Sequence, residues 1–167
     1  MNMKGQIHQI VGQVEVRIYV DASYGGEGCR SQTGILMTLS DQAVSWSSRR
    51  QDVAAQSVTE AEYISCAEGA KDASWVRQLL GELGVCVKPT LFTDNDAAQK
   101  LCKTAAYHRR TRHVDHRYHY VRQEVELGHM VVKSIKGRDN PADMLTKLLP
   151  MAKVGEWTKV LGFSTSE

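Results

Sequence analysis

Residues 13–21 alternate, with Val14, Val16, Ile18 and Val20 on one face and Glu15, Arg17, Tyr19 and Asp21 on the other, the period of a strand buried on one side. Residues 23–31 are rich in glycine and serine and predict a turn. Two short strands follow at 34–39 and 43–48, joined near Asp41, so the chain opens as an antiparallel meander. From 57 to 83 the period changes: Ile64, Ala67, Trp75, Val76, Leu79, Leu80 and Leu83 recur at helical spacing. Ser57 with Glu60, or Thr59 with Glu62, offers a capping box at the start of that helix, and Gly81 and Gly84 mark its end.

The second half alternates between element types. A strand is expected at 90–94 after Pro89, a short helix at 96–103, and a longer helix at 114–127 stopped by Gly128. A strand at 129–135, a turn at 137–140 and a helix at 141–147 follow, with Pro141 suited to a first helical position. Val154, Trp157, Val160 and Leu161 give a last amphipathic helix. The order β-β-β-α-β-α-α-β-α predicts an α/β fold: a mixed sheet, three antiparallel strands and then parallel ones, flanked by helices.

With 167 residues, 42% of them hydrophobic, the chain suits one domain over 1–167, its core at about 14–149 and a helical extension at 150–167. No apolar run approaches the roughly 18 residues of a membrane helix, and residues 1–11 carry no basic leader or apolar stretch of a signal peptide. Neither membrane association nor secretion is expected. Cys29, Cys66, Cys86 and Cys102 are far apart, without a C-x-x-C pair, which speaks against a zinc ribbon or a thioredoxin-type motif and for reduced thiols in a cytosolic or nuclear protein. The net charge of +2 is too small to indicate nucleic-acid binding. Its distribution says more, because Arg109, Arg110, Arg112, Arg117 and Arg122 face a single acid, Asp115, within 108–122.

Four acids stand at junctions of elements: Asp21 in Y-V-D-A-S, Glu62 in T-E-A-E-Y, Asp94 in F-T-D-N and Asp143 in N-P-A-D-M-L-T-K. Strand ends and helix starts are where α/β folds gather functional groups beside the sheet. Taken singly, Glu62 and Asp143 suit helix N-termini, where the macrodipole favours an acid by about 0.3–1 kcal/mol, and Asp21 and Asp94 suit turns. Those roles do not account for all four together.

These stretches, with T-G-I-L-M at 33–37, A-V-S-W-S-S-R-R-Q at 43–51, S-V-T-E-A-E-Y at 57–63 and R-H-V-D-H-R-Y-H-Y-V-R at 112–122, resemble the ribonuclease H domain of Ty1/copia-type retrotransposons. The resemblance runs in the family's order from about residue 16 to 149 and implies a ribonuclease H-like fold with a five-stranded mixed sheet. It implies that Asp21, Glu62, Asp94 and Asp143 form the catalytic, metal-binding set. Glu62 is preferred to Glu60 because the family's acid directly precedes the large apolar residue of the helix, here Tyr63, which leaves Glu60 to the cap.

Two Mg²⁺ ions, with Mn²⁺ as a substitute, are the implied cofactors, because paired divalent ions repel unless hard oxygen ligands hold them. By resemblance Asp21 bridges both, Asp143 completes the ion that activates water, and Glu62 and Asp94 hold the ion at the leaving 3′ oxygen. The implied reaction is endonucleolytic hydrolysis of the RNA strand of an RNA/DNA hybrid during reverse transcription, leaving a 5′-phosphate. The implied setting is a polyprotein with an adjacent reverse transcriptase domain, in cytoplasmic virus-like particles or the nucleus.

Substrate contacts are expected from the turn beside Asp21, with Ala22 and Ser23 meeting the 2′-OH that marks RNA, from Asn95, and from Arg112, Arg117 and Arg122 on phosphates. His113, His116 and His119 are spaced i, i+3, i+6; only adjacent members share a helix face, so a structural role is preferred to zinc. Cellular ribonucleases H usually carry a histidine in the loop before the last catalytic helix, where this chain reads I-K-G-R-D-N, leaving the role vacant or to Lys136 or Arg138. The alternative function is a catalytically weak or inactive hybrid-binding or connection domain supporting a reverse transcriptase. An integrase-like transposase core shares the mixed sheet, but the acid of N-P-A-D and the T-E-A-E-Y helix argue against it.

Overall fold

The computed structural model describes residues 14–26, 28–103 and 119–162. The meander consists of β1 (Val16–Ser23), β2 (Gln32–Leu39) and β3 (Gln42–Arg50). Ser40 and Asp41, with φ of 47° and 68°, make the two-residue turn between β2 and β3, whose left-handed backbone suits the twist of a hairpin. β1 pairs antiparallel with β2, placing Asp21 opposite Gly34, and β2 pairs antiparallel with β3. On the other side of β1, β4 (Thr90–Thr93) runs parallel to it, and β5 (Val131–Ser134) runs parallel to β4. The sheet order is β3-β2-β1-β4-β5, the five-stranded mixed sheet the sequence predicts, with β1 at its centre. β5 is shorter than the expected 129–135.

Helix α1 (Val58–Glu82) crosses between β3 and β4. Ser57 Oγ accepts the Glu60 N–H at 3.2 Å and the Glu60 carboxylate accepts the Gln56 N–H at 2.9 Å, so the cap falls on Ser57 and Glu60. The helix buries Ala61, Ile64, Ala67, Ala70, Ala73 and Val76 in one core with Val16, Ile18, Val20 and Leu91. Trp75, Leu79 and Leu83, expected on its apolar face, are instead exposed at 62%, 40% and 65%. The helix seats on a stripe made mostly of alanines, with Ile64 and Val76 in it, and Trp75, Leu79 and Leu83 lie off that stripe.

Helix α2 (Asp96–Lys103) has its expected bounds. α3 (Tyr120–Glu126) is the described part of the helix expected at 114–127; its earlier part lies outside the described residues. α4 (Met151–Val160) forms the C-terminal piece. The helix expected at 141–147 is a correction: Pro141–Leu145 is a 3-10 helix, preceded by a 3-10 turn at Gly137–Asp139. Asn140, fully buried, sets its start, donating from Nδ2 to the Val20 carbonyl at 2.9 Å and accepting the Ala142 N–H at 3.2 Å. At the other end the Thr146 N–H donates to the Asp143 carbonyl at 3.2 Å. A segment held at both ends over so few residues closes as the tighter helix. Among the described residues no helix is long and apolar enough to cross a membrane.

Candidate active site

The alternation of β1 puts Asp21 on the strand's polar face, yet its side chain is fully buried. The 3-10 helix covers that face. Gly34 sits opposite Asp21 in the β1–β2 pair, and a Cβ on Gly34 would lie 2.8 Å from Thr146 Cγ2 and 2.9 Å from Leu145 Cβ. The missing side chain is therefore what lets the segment carrying Asp143 lie against the sheet.

Asp21, Glu62 and Asp94 converge: each offers a carboxylate oxygen, and these oxygens all lie within 4.8 Å of one another. Glu62 reaches the end of β1 from α1, and its Oε1 accepts the Ala22 N–H at 3.2 Å. Its Oε2 is buried and has no hydrogen-bond partner among the described residues. Asp94 directly follows β4, where Oδ2 lies 2.9 Å from the point a Cβ of Gly137 would occupy. Asp143, also buried, stands outside that set of three. It is joined to Asp21 by Lys147, whose Nζ donates to Asp21 Oδ1 at 3.1 Å and to Asp143 Oδ1 at 2.9 Å. Thr146 Oγ1 donates a short bond to the other oxygen of Asp21.

The electrostatics follow from this crowding. Burial raises the Glu62 carboxyl from 4.5 to about 8, reinforced by the charges of Asp21 and Asp94. Burial also raises Asp21, against the opposing bonds of Thr146 and Lys147, and raises Asp94, against the charge of Lys147. Lys147 is held above its ordinary value: its desolvation favours the neutral amine, but the Asp143 bond and the Asp21 charge outweigh it. Three hard oxygen donors that repel one another, one of them on a carboxylate with an oxygen buried and without a partner among the described residues, fit a divalent cation better than they fit one another.

The expected substrate residues fare differently. The Ala22 N–H is committed to Glu62, so it does not point to a ligand. Ser23 ends β1 opposite Gln32 and is partly exposed. Asn95 uses its side-chain oxygen to accept the Ala98 N–H at 2.9 Å, which caps α2. Arg122 donates Nε and Nη2 to the Leu101 carbonyl at 3.3 and 3.2 Å; it ties α3 to α2 rather than facing outward. Arg112 and Arg117 lie outside the described residues, as do His113 and His116. His119 Nδ1 is 3.2 Å from the Tyr63 hydroxyl. Asn140, Thr146 and Lys147 were not singled out from sequence, although the Asp143–Lys147 spacing of i, i+4 is a legible ion-pair signal.

No protein-family model matches the chain. Among solved structures, LC11-RNase H1, isolated from compost by a metagenomic approach, superposes with a TM-score of 0.62 over 80% of this chain and 93% of its own at 16% identity. The same enzyme in complex with an RNA/DNA hybrid gives 0.60 over 78% and 93% at 17% identity. The prototype foamy virus protease-reverse transcriptase gives 0.56 at 12% identity, covering 94% of this chain and 22% of that one. A central β1 flanked by an antiparallel meander on one side and two parallel strands on the other is the ribonuclease H architecture. Transposon Pol polyproteins carry the likeness in sequence. The Retrovirus-related Pol polyprotein from transposon TNT 1-94 of Nicotiana tabacum is 39% identical over 151 residues, 89% of this chain and 11% of that protein. The Pol polyprotein from transposon RE2 of Arabidopsis thaliana is 32% identical over 153 residues, 89% of this chain and 10% of that protein. In sequence the chain matches a stretch of Ty1/copia-type Pol polyproteins and in fold it matches ribonuclease H domains, and it spans about a tenth of the length of these relatives.

Proposed function

We propose that this domain hydrolyses the RNA strand of RNA/DNA hybrids endonucleolytically during reverse transcription, leaving a 5′-phosphate. The observation that carries the reading is the meeting of Asp21, Glu62 and Asp94 within 4.8 Å, with Glu62 Oε2 buried and unpartnered among the described residues. Two divalent ions, Mg²⁺ with Mn²⁺ as a substitute, would be held by Asp21, Glu62, Asp94 and Asp143. Bound there, such ions supply the positive charge that activates an attacking water and stabilises the leaving 3′ oxygen.

The chain's own residues supply position. The Ala22 N–H fixes Glu62 through Oε1 and leaves Oε2 buried without a hydrogen-bond partner among the described residues. Thr146 orients Asp21 from behind, and Gly137 leaves space for Asp94. Carboxylates held this way are arranged before substrate arrives and need no reorganisation during the reaction. Selection of RNA requires a partner for the 2′-OH. With Ala22 committed, Ser23 and the backbone after it are the proposed contact, while Arg112 and Arg117 are proposed to follow phosphates in a salt-sensitive way. The proposed setting is beside a reverse transcriptase, since the relatives are Pol polyproteins.

The test is hydrolysis of an end-labelled hybrid with Mg²⁺ by the parent and by Asp21→Asn. Cutting of the RNA strand by the parent, lost in a folded Asp21→Asn protein that still binds hybrid, is expected. Equal cutting by both proteins would end the assignment, and binding without cutting by the parent would favour the connection-domain alternative.

A further inference from the structure

The two halves of the acid cluster are not equivalent. On one side Glu62 Oε2 is buried in a residue 4% exposed and lacks a partner among the described residues. On the other side the space between Asp21 and Asp143 already holds a positive charge, the Lys147 ammonium, at 3.1 and 2.9 Å from one oxygen of each. An ammonium is a compact point charge on a flexible stem, and both its partners are buried while the lysine side chain is 42% exposed. It is therefore far more open to water than the carboxylates it pairs with, whose side chains are 0% and 11% exposed. The backbone assists, because the Lys147 N–H donates to the Asp143 carbonyl at 2.9 Å, holding the lysine one turn from the acid it pairs with.

We propose that Lys147 is an internal competitor for the divalent ion at the Asp21–Asp143 position, so that the site fills in order. The Asp21–Glu62–Asp94 position fills first, and the Asp21–Asp143 position fills only when the Lys147 side chain swings to solvent. This rests on the reading above that these acids hold divalent ions. A lysine ammonium and a divalent ion cannot share one gap between two carboxylates: they repel, and they compete for the same oxygens. Lys147 is thus a positioning residue that keeps Asp21 and Asp143 paired when the second ion is away.

The experiment is a Mn²⁺ titration of the whole chain without nucleic acid, followed by calorimetry and by the magnetic-resonance signature of paired Mn²⁺ ions, for the parent, Lys147→Gln, Lys147→Arg and Glu62→Gln. Two unequal binding events are expected for the parent. In Lys147→Gln the second should tighten by roughly tenfold, equivalent to about 1.4 kcal/mol, and the paired-ion signature should appear at lower Mn²⁺. Lys147→Arg keeps the charge and should keep the parent's order, while Glu62→Gln should weaken the first event. Two equal events in the parent, or an unshifted second event in Lys147→Gln, overturn the role of Lys147 while leaving the metal-binding reading intact. No Mn²⁺ binding by the parent or any variant overturns both.

Discussion

Replacing Glu62 with glutamine tests whether the acid cluster is a load on the fold when no metal is bound. The substitution keeps the shape and the acceptor for the Ala22 N–H, and it removes a carboxyl whose affinity for a proton is raised by burial and by neighbouring acids to about 8. The sign follows from linkage. The folded state holds the Glu62 proton more tightly than the unfolded chain, where the value is near the ordinary 4.5. Stability from this group is therefore fully present below about pH 4.5, is lost progressively as pH rises, and levels off above about 8. One proton differs between the states across most of that window, so the slope approaches about 1.4 kcal/mol per pH unit, with a ceiling of about 5 kcal/mol in total.

The assay is urea unfolding followed by circular dichroism in a chelator, at intervals from pH 5 to pH 9. The parent should lose stability as pH rises, and Glu62→Gln should lose markedly less, with the residual slope belonging to Asp21 and Asp94, whose carboxyls are also raised by burial. Added Mn²⁺ should restore the parent at high pH and help the variant less, because binding to the folded state alone adds stability by mass action. Parallel pH profiles for the two proteins in chelator would refute the reasoning: Glu62 would then ionise as freely in the fold as out of it.

Three further outcomes follow from packing. Gly137→Ala puts a Cβ 2.9 Å from Asp94 Oδ2, so the carboxylate must shift, and Mn²⁺ affinity measured by calorimetry should fall several-fold in a protein with an unchanged circular dichroism spectrum; an unchanged affinity would show that Asp94 is not a ligand. Asn140→Ala leaves the buried Val20 carbonyl and Ala142 N–H without their partners and should cost about 2–4 kcal/mol in urea unfolding. Ser57→Ala removes the acceptor for the Glu60 N–H at the start of α1 and should cost about 1 kcal/mol, read as a melting point lower by roughly 2–4 °C.

Much of this arrangement is legible in the sequence wherever the signal is local. The alternation of β1, the turn between β2 and β3, the Ser57 cap and the bounds of α2 all depend on neighbouring residues, and the structure has them. Periodicity alone does not say which side of a long helix meets the sheet. Trp75, Leu79 and Leu83 share helical spacing with the buried residues, yet it is the alanine-rich stripe that is buried. The same gap explains Asp21. Its register on β1 assigns it to the polar face, and only a segment more than a hundred residues away, admitted by Gly34, makes that face an interior. Arg122 is the converse case, a charge in a basic stretch that turns inward to a carbonyl, which composition cannot distinguish from a charge facing outward.

Two of the buried acids meet one difficulty in different ways. A carboxylate taken out of water is strongly unfavourable unless something compensates it. Asp21, with its side chain fully buried, is compensated by a cation from its own chain, the Lys147 ammonium, and by the Thr146 hydroxyl. Glu62 has no comparable cation bonded to it among the described residues; it has one backbone N–H and an unpartnered oxygen, and it keeps its proton into the alkaline range instead. A borrowed ammonium and a retained proton are both what a divalent ion would displace. The chain can thus fold before any metal arrives, and the metal-free fold stores the compensation in two groups that leave separately. Loading of the site should accordingly release a proton from the Glu62 side and a side chain from the Asp143 side, and proton uptake by buffers of different ionisation heat during the Mn²⁺ titration should accompany the first event more than the second.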